Sequence, residues 1–273
     1  MDVGIVAQRD NPRAAELAAE LRRALEPDSS VRLDEETASE LGETGVPPSA
    51  MADADLVVSI GGDGTFLFVA RNVDGTPVMG VNLGEVGFLN VTPPSEAVGA
   101  VRAEVDRIRT AAEPVFQEMP QVEARGNGLD LRPALNEVSI LGPQRGHGNG
   151  IGVEVRVDGS LYAGSHADGV IVATPTGSTA YNLSEGGPLV HPGIDGFVVT
   201  EMCADSGTPS LVTDLDAEVT VRLDAADYGY VVADGRTTER VELPTRVTLE
   251  QAAQPVRVAG PPLDFFAALG KLD

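Results

Sequence analysis

A run of glycines around one carboxylate is the part of this sequence best suited to chemistry. The run consists of Gly61, Gly62, Asp63, Gly64 and Thr65. Glycine admits positive φ angles and lets a ligand approach the main chain, so backbone N–H groups here can bind phosphate oxygens. Asp63 then lies beside those phosphates, where its carboxylate can act as an acid or a base. The same residues also fit a plain strand-to-helix turn in which the glycines serve geometry alone.

The segments around this run alternate between strand and helix patterns. Apolar runs predict strands at 3–7, 56–60 and 77–81, and apolar spacing predicts helices at 11–25, 65–72 and 95–109. This alternation is typical of a doubly wound α/β domain with ligand-binding loops at the strand ends. The acidic stretch 33–50, which carries several glycines and prolines, is predicted to be a solvated connection.

A different periodicity begins after the first hundred residues. Apolar and polar residues alternate at 153–157, 219–223 and 247–249, and Asp158-Gly159 and Asp234-Gly235 are typical hairpin turns. The second part is therefore predicted to be a mostly antiparallel β-sandwich. We expect an α/β domain at 1–105, the β-sandwich domain at 106–255, and a C-terminal segment at 256–273 that returns to the first domain.

Composition excludes several classes of protein. The chain has 273 residues, of which 42% are hydrophobic, so it can form two domains with cores of their own. No apolar run approaches the roughly 20 residues that span a bilayer, and the N-terminus lacks the features of a signal peptide. We expect a soluble, cytoplasmic protein with no membrane partner. The single cysteine, Cys203, cannot form an intramolecular disulfide, which agrees with a reducing compartment.

The charge balance indicates the environment of the protein. Acidic residues number 42 and basic residues 19, which gives a formal net charge of -23. Such a chain repels nucleic acid, so no nucleic-acid partner is expected. The acids are spread along the whole chain, as on the surface of a halophile's protein. In molar salt the Debye length is only about 3 Å, so the repulsion between these charges is screened.

Four segments in order carry a resemblance to a known family. They are 61–65, 82–89, 135–137 and 168–181, the last followed by Gly186-Gly187-Pro188. Together they resemble the NAD kinase family, over the part of the chain from about 55 to 190. The resemblance implies transfer of a phosphoryl group from ATP or polyphosphate, with Mg²⁺ or another divalent metal, to the 2′-hydroxyl of the adenosine ribose of NAD, forming NADP. Asp63 would be the general base.

The resemblance also implies a set of binding residues. Gly61, Gly62, Gly64 and Thr65 would bind the phosphate donor. Asn136 and Glu137 would hold the ribose hydroxyls, and Tyr181 offers a flat face for stacking. The full predicted NAD-binding set is Asn82, Phe88, Asn136, Glu137, His147, His166, Asp168, Thr179, Ala180, Tyr181, Asn182, Ser184, Cys203 and Asp234. No metal site formed by protein side chains is predicted, since the three histidines are not clustered. A homodimer or homotetramer is expected by analogy.

The chain departs from the family pattern at three places. His166 stands where relatives often carry a basic residue, which leaves the choice between NAD and NADH open. The loop 204–209 is shorter and more acidic than in many relatives, and Glu185 replaces the usual alanine. Two other hypotheses are a catalytically silent NAD(P)-binding sensor and a lipid kinase resembling the diacylglycerol kinases. A sensor has no need of Asp63, and a lipid kinase has no use for the segment 174–181.

Overall fold

The computed structural model of the chain describes residues 1–84, 87–126, 128–144, 146 and 150–270. The chain divides into two compact units. Unit 1 comprises Met1–Met119 and Pro255–Asp273, and unit 2 comprises Pro120–Gln254.

The secondary structure is rich in β-strands. The strands are β1 (Asp2–Ala7), β2 (Ser30–Leu33), β3 (Leu56–Ile60), β4 (Val78–Val81), β5 (Gln117–Met119), β6 (Val122–Gly126), β7 (Glu137–Leu141), β8 (Ile151–Val157), β9 (Ser160–Ala167), β10 (Gly169–Ala173), β11 (Gly196–Met202), β12 (Leu211–Asp214), β13 (Val219–Asp224), β14 (Tyr228–Ala233), β15 (Thr237–Glu242), β16 (Thr245–Gln251) and β17 (Val256–Ala259). The α-helices are α1 (Pro12–Leu25), α2 (Glu35–Glu40), α3 (Asp63–Asn72), α4 (Ala97–Thr110), α5 (Tyr181–Ser184) and α6 (Phe265–Leu269), and 3-10 turns lie at Pro48–Met51 and Thr176–Thr179.

Unit 1 is built on a twisted sheet with the strand order β2-β1-β3-β4-β17-β5. Its strands are parallel, except that β5 runs antiparallel to β17 at one edge. Strands β3 and β4 are buried along their whole length, as expected of a parallel sheet covered on both faces. The chain leaves β1 towards one edge of the sheet and β3 towards the other. The loops after β1 and β3 therefore diverge, and such a switch point is where doubly wound sheets bind ligands.

The acidic stretch 33–50 is mostly accessible to solvent, as predicted, but it also contains the helix α2, which was not predicted. The Asp34 carboxylate caps α2 by accepting the Glu36 N–H at 3.2 Å. Thr37 and Ala38 are buried, and the Thr37 hydroxyl accepts the N–H of Ala7 at 2.9 Å. A one-and-a-half-turn helix with two small buried residues has too little apolar periodicity to be visible among its acidic neighbours.

Unit 2 is a sandwich of two antiparallel sheets. One sheet has the order β12-β11-β10-β7-β14-β15 and the other β6-β16-β13-β8-β9. Alternate residues of both sheets, such as Val155, Phe197 and Val221, are fully buried in one shared core. Asp158 and Gly159 have φ angles of 48° and 77°, as a tight hairpin turn requires. The predicted fold class, an α/β domain followed by an antiparallel β-sandwich, is confirmed.

A second, smaller core covers the other face of the sheet that contains β10. Here Ile171, Ala173 and Val198 pack with Val190, and Tyr181 and Tyr230 lie against them. The segment 174–190 is thereby held against the outer face of the sheet, at the carboxyl end of β10.

Candidate active site

The carboxylate of Asp63 is fixed by the main chain of the segment 87–90. Asp63 is the first residue of α3, directly after the glycine turn. Its Oδ2 accepts the N–H of Phe88 at 2.8 Å, and its Oδ1 accepts the N–H groups of Leu89 and Asn90, each at 3.1 Å. A carboxylate has about four acceptor positions, two on each oxygen. Three of these positions accept N–H groups of described residues, and the fourth position, on Oδ2, has no donor among those residues.

Two glycines make this arrangement possible by their lack of a side chain. A Cβ atom at Gly87 would lie 1.9 Å from Oδ1 of Asp63, and one at Gly61 would lie 2.5 Å from the Thr65 hydroxyl oxygen. The side-chain amide of Asn90, which is fully buried, also donates to the carbonyl of Gly61 at 2.9 Å. The glycine turn and the segment 87–90 are therefore one hydrogen-bonded assembly.

The glycine turn leaves backbone available to an anion. Gly62 and Gly64 are exposed, and Gly62 is the N-cap of the ten-residue helix α3. The first N–H groups of a helix have no partner within it, and the helix dipole favours negative charge at this end. Gly62, Asp63 and Gly64 thus combine an anion-binding turn with a carboxylate of fixed orientation.

Sequence reasoning missed the aromatic contact behind this loop. The ring of Phe88 lies against that of Phe265 on α6, with centroids 6.0 Å apart and the planes tilted by 50°. Phe265 in turn makes an edge contact with Phe266, which is 72% exposed. The sequence predicted that the segment 256–273 returns to the first domain, and its Phe265-Phe266 pair was the available signal for an aromatic contact.

Unit 2 brings Asn136, Glu137 and Asp234 together. The Asp234 carboxylate accepts the backbone N–H groups of Leu135, Asn136 and Glu137 at 3.1, 2.7 and 3.3 Å. The N–H of Asp234 donates to the carbonyl of Glu137 at 2.9 Å. The hairpin turn at Asp234 therefore holds the main chain of the Asn-Glu pair, although 97 or more residues separate these positions in the sequence.

The carboxyl group of Glu137 is buried at the start of β7, with 4% of the residue exposed. It accepts a hydrogen bond from the Tyr181 backbone, while Oε2 has no hydrogen-bond partner among the described residues. Burial, with a smaller contribution from the nearby Asp234 charge, raises the pKa of Glu137 to about 7. An incompletely bonded, buried carboxyl group is costly to the fold and marks a place where a ligand's hydroxyl can bind.

The hydroxyl-rich segment after β10 packs tightly against the Asn-Glu pair. Thr174 donates its N–H to the Asn136 carbonyl at 2.8 Å and its hydroxyl to the Leu135 carbonyl at 2.6 Å. A Cβ at Gly177 would lie 1.9 Å from the Asn136 carbonyl oxygen. This close approach of two backbone segments explains the glycine at position 177.

Within the predicted NAD-binding loop, the residues differ in accessibility. Asn182 is fully buried, and its amide bonds the carbonyls of Ser178 and Pro188 and the hydroxyl of Thr200. The Asn182 side chain therefore holds residues Ser178 and Pro188 of this loop against Thr200. Its direct contact with NAD stays a prediction. Thr179, Ala180 and Tyr181 are half-buried and Ser184 is exposed. Tyr181 lines a groove of about 350 Å³ on the outer face of the sheet, together with Ser139, Leu141, Tyr230, Val232, Gly235 and Thr238.

A second group of predicted residues lies at the opposite end of β10. Asp168 is buried, and both of its carboxylate oxygens accept the Gly146 N–H, at 2.9 and 3.0 Å. His166 and Cys203 are both exposed. They lie near Asp168, because the N–H of Asp168 donates to the carbonyl of Met202 and the N–H of Asp205 donates to the carbonyl of His166. His147 lies outside the described residues.

The pairing of β10 with β7 gives the distance between the Asp168 group and the Asn136-Glu137 group. Ala173 pairs with Glu137, and Gly169 pairs with Leu141. Ala173, the partner of Glu137, is five residues from Asp168, which is roughly 17 Å along the strand. The predicted dinucleotide contacts among the described residues of unit 2 therefore form two separate groups.

Asn82 in unit 1 is nearly fully buried. Its side-chain carbonyl accepts the N–H of Gly84 at 3.2 Å, while its amide nitrogen has no partner among the described residues.

The described part of the chain contains no group of three or more His, Cys, Asp and Glu side chains able to hold a metal ion. Nor does it contain a helix long and apolar enough to cross a membrane.

Comparison with known proteins gives a consistent result along the whole chain. Residues 3–107 match the model of the ATP-NAD kinase N-terminal domain family, and residues 135–260 match that of the ATP-NAD kinase C-terminal domain family. The chain is 56% identical to an NAD kinase of Natronomonas pharaonis and to one of Halobacterium salinarum, with all of both chains covered in each case.

Solved structures agree with these relatives. The crystal structure of an NAD kinase from Archaeoglobus fulgidus in complex with ATP is similar with a TM-score of 0.81 at 26% identity, covering 100% of this chain and 98% of that one. Yeast NADH kinase complexed with NADH is similar with a TM-score of 0.84 at 21% identity, covering 100% of this chain and 87% of that one, which shows a shared fold. The chain belongs to the NAD kinase family, and its similarity to proteins of halophilic archaea confirms the interpretation of its acidic surface.

Proposed function

We propose that Asp63 is the general base with which this NAD kinase phosphorylates the 2′-hydroxyl of the adenosine ribose of NAD, using ATP. The chain is an enzyme that converts NAD to NADP, and neither the sensor nor the lipid kinase hypothesis is supported. One observation carries the assignment of the base. Three backbone N–H groups fix the Asp63 carboxylate, and the described residues leave one acceptor position on its Oδ2.

The proposed reaction transfers the terminal phosphoryl group of ATP to the ribose. The 2′-oxygen of the ribose attacks the γ-phosphorus of ATP, the bond from that phosphorus to the bridging oxygen breaks, and ADP leaves with the electron pair. The hydroxyl proton passes to Oδ2 of Asp63. Because the carboxylate is already fixed, no free energy is needed at the moment of reaction to orient it.

The glycine turn is proposed to bind the donor. Exposed Gly62 and Gly64 offer backbone N–H groups to phosphate oxygens at the start of α3. The ATP bound in the Archaeoglobus fulgidus relative supports ATP over polyphosphate. A divalent cation such as Mg²⁺, which commonly binds through substrate phosphates and one or two carboxylates, would neutralise charge on the transferred group. Asp63 is the carboxylate within the glycine turn that is proposed to bind these phosphates.

Unit 2 is proposed to bind the acceptor. Glu137 and Asn136 would bond the ribose hydroxyls, because the Glu137 Oε2 is the buried acceptor left without a partner in the described structure. Tyr181 would present its ring to a base of the dinucleotide at the groove that it lines.

The decisive experiment measures NADP formation by Asp63→Asn in molar KCl with ATP and Mg²⁺. We expect kcat to fall by about 10²- to 10⁴-fold, while Asp74→Asn, an exposed aspartate at positive φ in the same unit, keeps wild-type turnover. Full turnover by Asp63→Asn would remove Asp63 as the base. Repeating the wild-type assay with polyphosphate decides the donor, and NAD binding without product from either donor would restore the sensor hypothesis.

We also propose that the protein acts as a homodimer or homotetramer in which a second copy supplies the Asp168 group. The separation of roughly 17 Å along the strand between Glu137 and Asp168 supports this arrangement. Mixing inactive Asp63→Asn and Asp168→Asn chains tests it. Half of the dimers in an equimolar mixture are mixed, and each mixed dimer with shared sites has one intact site, so the mixture would recover up to about a quarter of wild-type activity. No recovery in subunits shown to exchange would mean that each copy is complete.

A further inference from the structure

The phosphate-binding part of unit 1 lacks a cationic side chain. Residues 56–70, which include the glycine turn, contain no lysine or arginine, and neither do residues 82–94. A nucleoside triphosphate brings several negative charges to this turn, where Asp63 adds another. Phosphoryl transfer depends on neutralising that charge. A cation from a neighbouring loop would meet this need.

The loop after β1 is the neighbour at the switch point of the sheet. Its first residue, Gln8, donates its N–H to the Ile60 carbonyl at 2.8 Å, directly before the glycine turn. A Cβ at Gly61 would lie 3.0 Å from the Cβ of Gln8. The loop after β1 therefore bonds to the end of β3 at Ile60, and its Gln8 side chain begins next to Gly61. The residue that follows Gln8 is Arg9.

Arg9 is available to a ligand. Its guanidinium donates to the carboxylate of Glu36 on α2, and the two side chains are 67% and 52% exposed. An exposed ion pair contributes little to stability, and molar salt screens it further. A phosphate group, by contrast, offers the planar guanidinium two parallel hydrogen bonds and more charge than a carboxylate.

We propose that Arg9 binds the phosphates of the donor nucleotide, exchanging Glu36 for a phosphate oxygen pair when the donor binds. The inference rests on the proposed function, since it names a further contact of the same phosphate site. Arg9 is thus a binding residue for ATP and has no role in holding NAD.

Steady-state kinetics of four variants test this assignment. Arg9→Ala is expected to raise KM for ATP by about 10- to 100-fold and to leave KM for NAD unchanged. Arg9→Lys keeps the charge but loses the paired hydrogen bonds, so we expect partial recovery. Arg23→Ala is the matched control, because Arg23 is an exposed arginine in the last turn of α1. Its KM values should equal those of the wild type.

Glu36→Gln separates ligand binding from a structural ion pair. If the Arg9–Glu36 pair merely supports the fold, Glu36→Gln will raise KM for ATP as much as Arg9→Ala does, which would overturn the proposal. If Arg9 binds phosphate, Glu36→Gln will leave KM for ATP unchanged or lower it. An unchanged KM for ATP in Arg9→Ala would also overturn the proposal.

A binding measurement keeps this test independent of catalysis. Calorimetric titration of Arg9→Ala with ATP, and with inorganic tripolyphosphate, should show a similar loss of affinity for both. Wild-type protein that binds ATP but forms no NADP would refute the proposed function and leave the Arg9 assignment to be judged by this titration. Equal affinities in wild type and Arg9→Ala would refute the Arg9 assignment alone.

Discussion

The backbone N–H of Phe88 donates to Oδ2 of Asp63 at 2.8 Å, and this bond joins two segments 25 residues apart in the sequence. It gives Asp63 a second role besides that of base, because the carboxylate also anchors the segment 87–90. In Asp63→Asn one carboxylate oxygen becomes an NH2 group, which cannot accept a backbone N–H. That variant is therefore expected to loosen this segment as well as lose turnover.

Gly87→Ala is expected to displace the Asp63 carboxylate without removing it. The new Cβ would lie 1.9 Å from Oδ1, which is far inside van der Waals contact. A displacement of about 1 Å at a reacting group can cost 10²-fold in rate, so we expect kcat to fall by about that factor. Gly84→Ala is the matched control, because a Cβ there meets no atom of the described residues within 4 Å. Equal kcat values for the two variants would contradict the anchoring role of this segment.

Phe265→Ala is expected to lower kcat through Phe88. The substitution removes the ring contact between Phe265 and Phe88, which stabilises the fold by about 0.5–1.5 kcal/mol beyond the effect of the buried area. Phe88, whose N–H donates to the Asp63 carboxylate, is then held less firmly. We expect kcat to fall about tenfold with KM for ATP nearly unchanged, and Phe265→Tyr to restore it. Phe266→Ala, which removes a ring that is 72% exposed, should have a much smaller effect. A loss of thermal stability without loss of kcat would assign Phe265 a packing role alone.

Glu137 is expected to make stability depend on pH. Burial raises the pKa of Glu137 from its ordinary value of 4.5 to about 7, so the folded state binds the proton more tightly than the unfolded state. The resulting stabilisation is complete below about pH 4.5 and is lost as the pH rises to about 7, a change on the order of 3 kcal/mol. Glu137→Gln should remove this dependence and be the more stable protein at pH 8. Denaturation curves at pH 5 and pH 8 in constant molar KCl measure the effect.

Glu137→Gln should at the same time bind NAD less well, because it loses the carboxylate that faces the ribose in the proposed function. Greater stability with weaker NAD binding at pH 8 would mark Glu137 as a residue kept for its function. Parallel pH profiles of stability for wild type and Glu137→Gln would show that the buried carboxyl group titrates normally.

Gly177→Ala is expected to disturb the Asn136-Glu137 pair. A Cβ at position 177 would lie 1.9 Å from the Asn136 carbonyl oxygen, so one of the two backbone segments must move. We expect a destabilisation of about 1–3 kcal/mol and an increase in KM for NAD that exceeds the increase for ATP. Gly164→Ala on β9, where a Cβ meets no atom within 4 Å, provides the comparison. Equal changes in the two KM values would indicate general unfolding.

Local patterns in the sequence were sufficient for much of the fold. The strand Leu56–Ile60 is found where the apolar run predicted it, since a strand buried on both faces must be apolar at every position. The hairpin at Asp158-Gly159 follows from residues that tolerate positive φ. Helix α2 was missed, because its buried face consists of only Thr37 and Ala38.

The sequence by itself determined the family, the two kinds of architecture and the residue types of the site, because these are written in periodicity and in contiguous motifs such as 61–65. The tertiary structure alone decided which main-chain groups hold the carboxylates. Asp63 is bonded by 88–90 and Asp234 by 135–137, contacts across 25 to 99 residues that no local pattern encodes. It also separated Asp168 from Glu137, because strand register sets which residues share one end of a sheet.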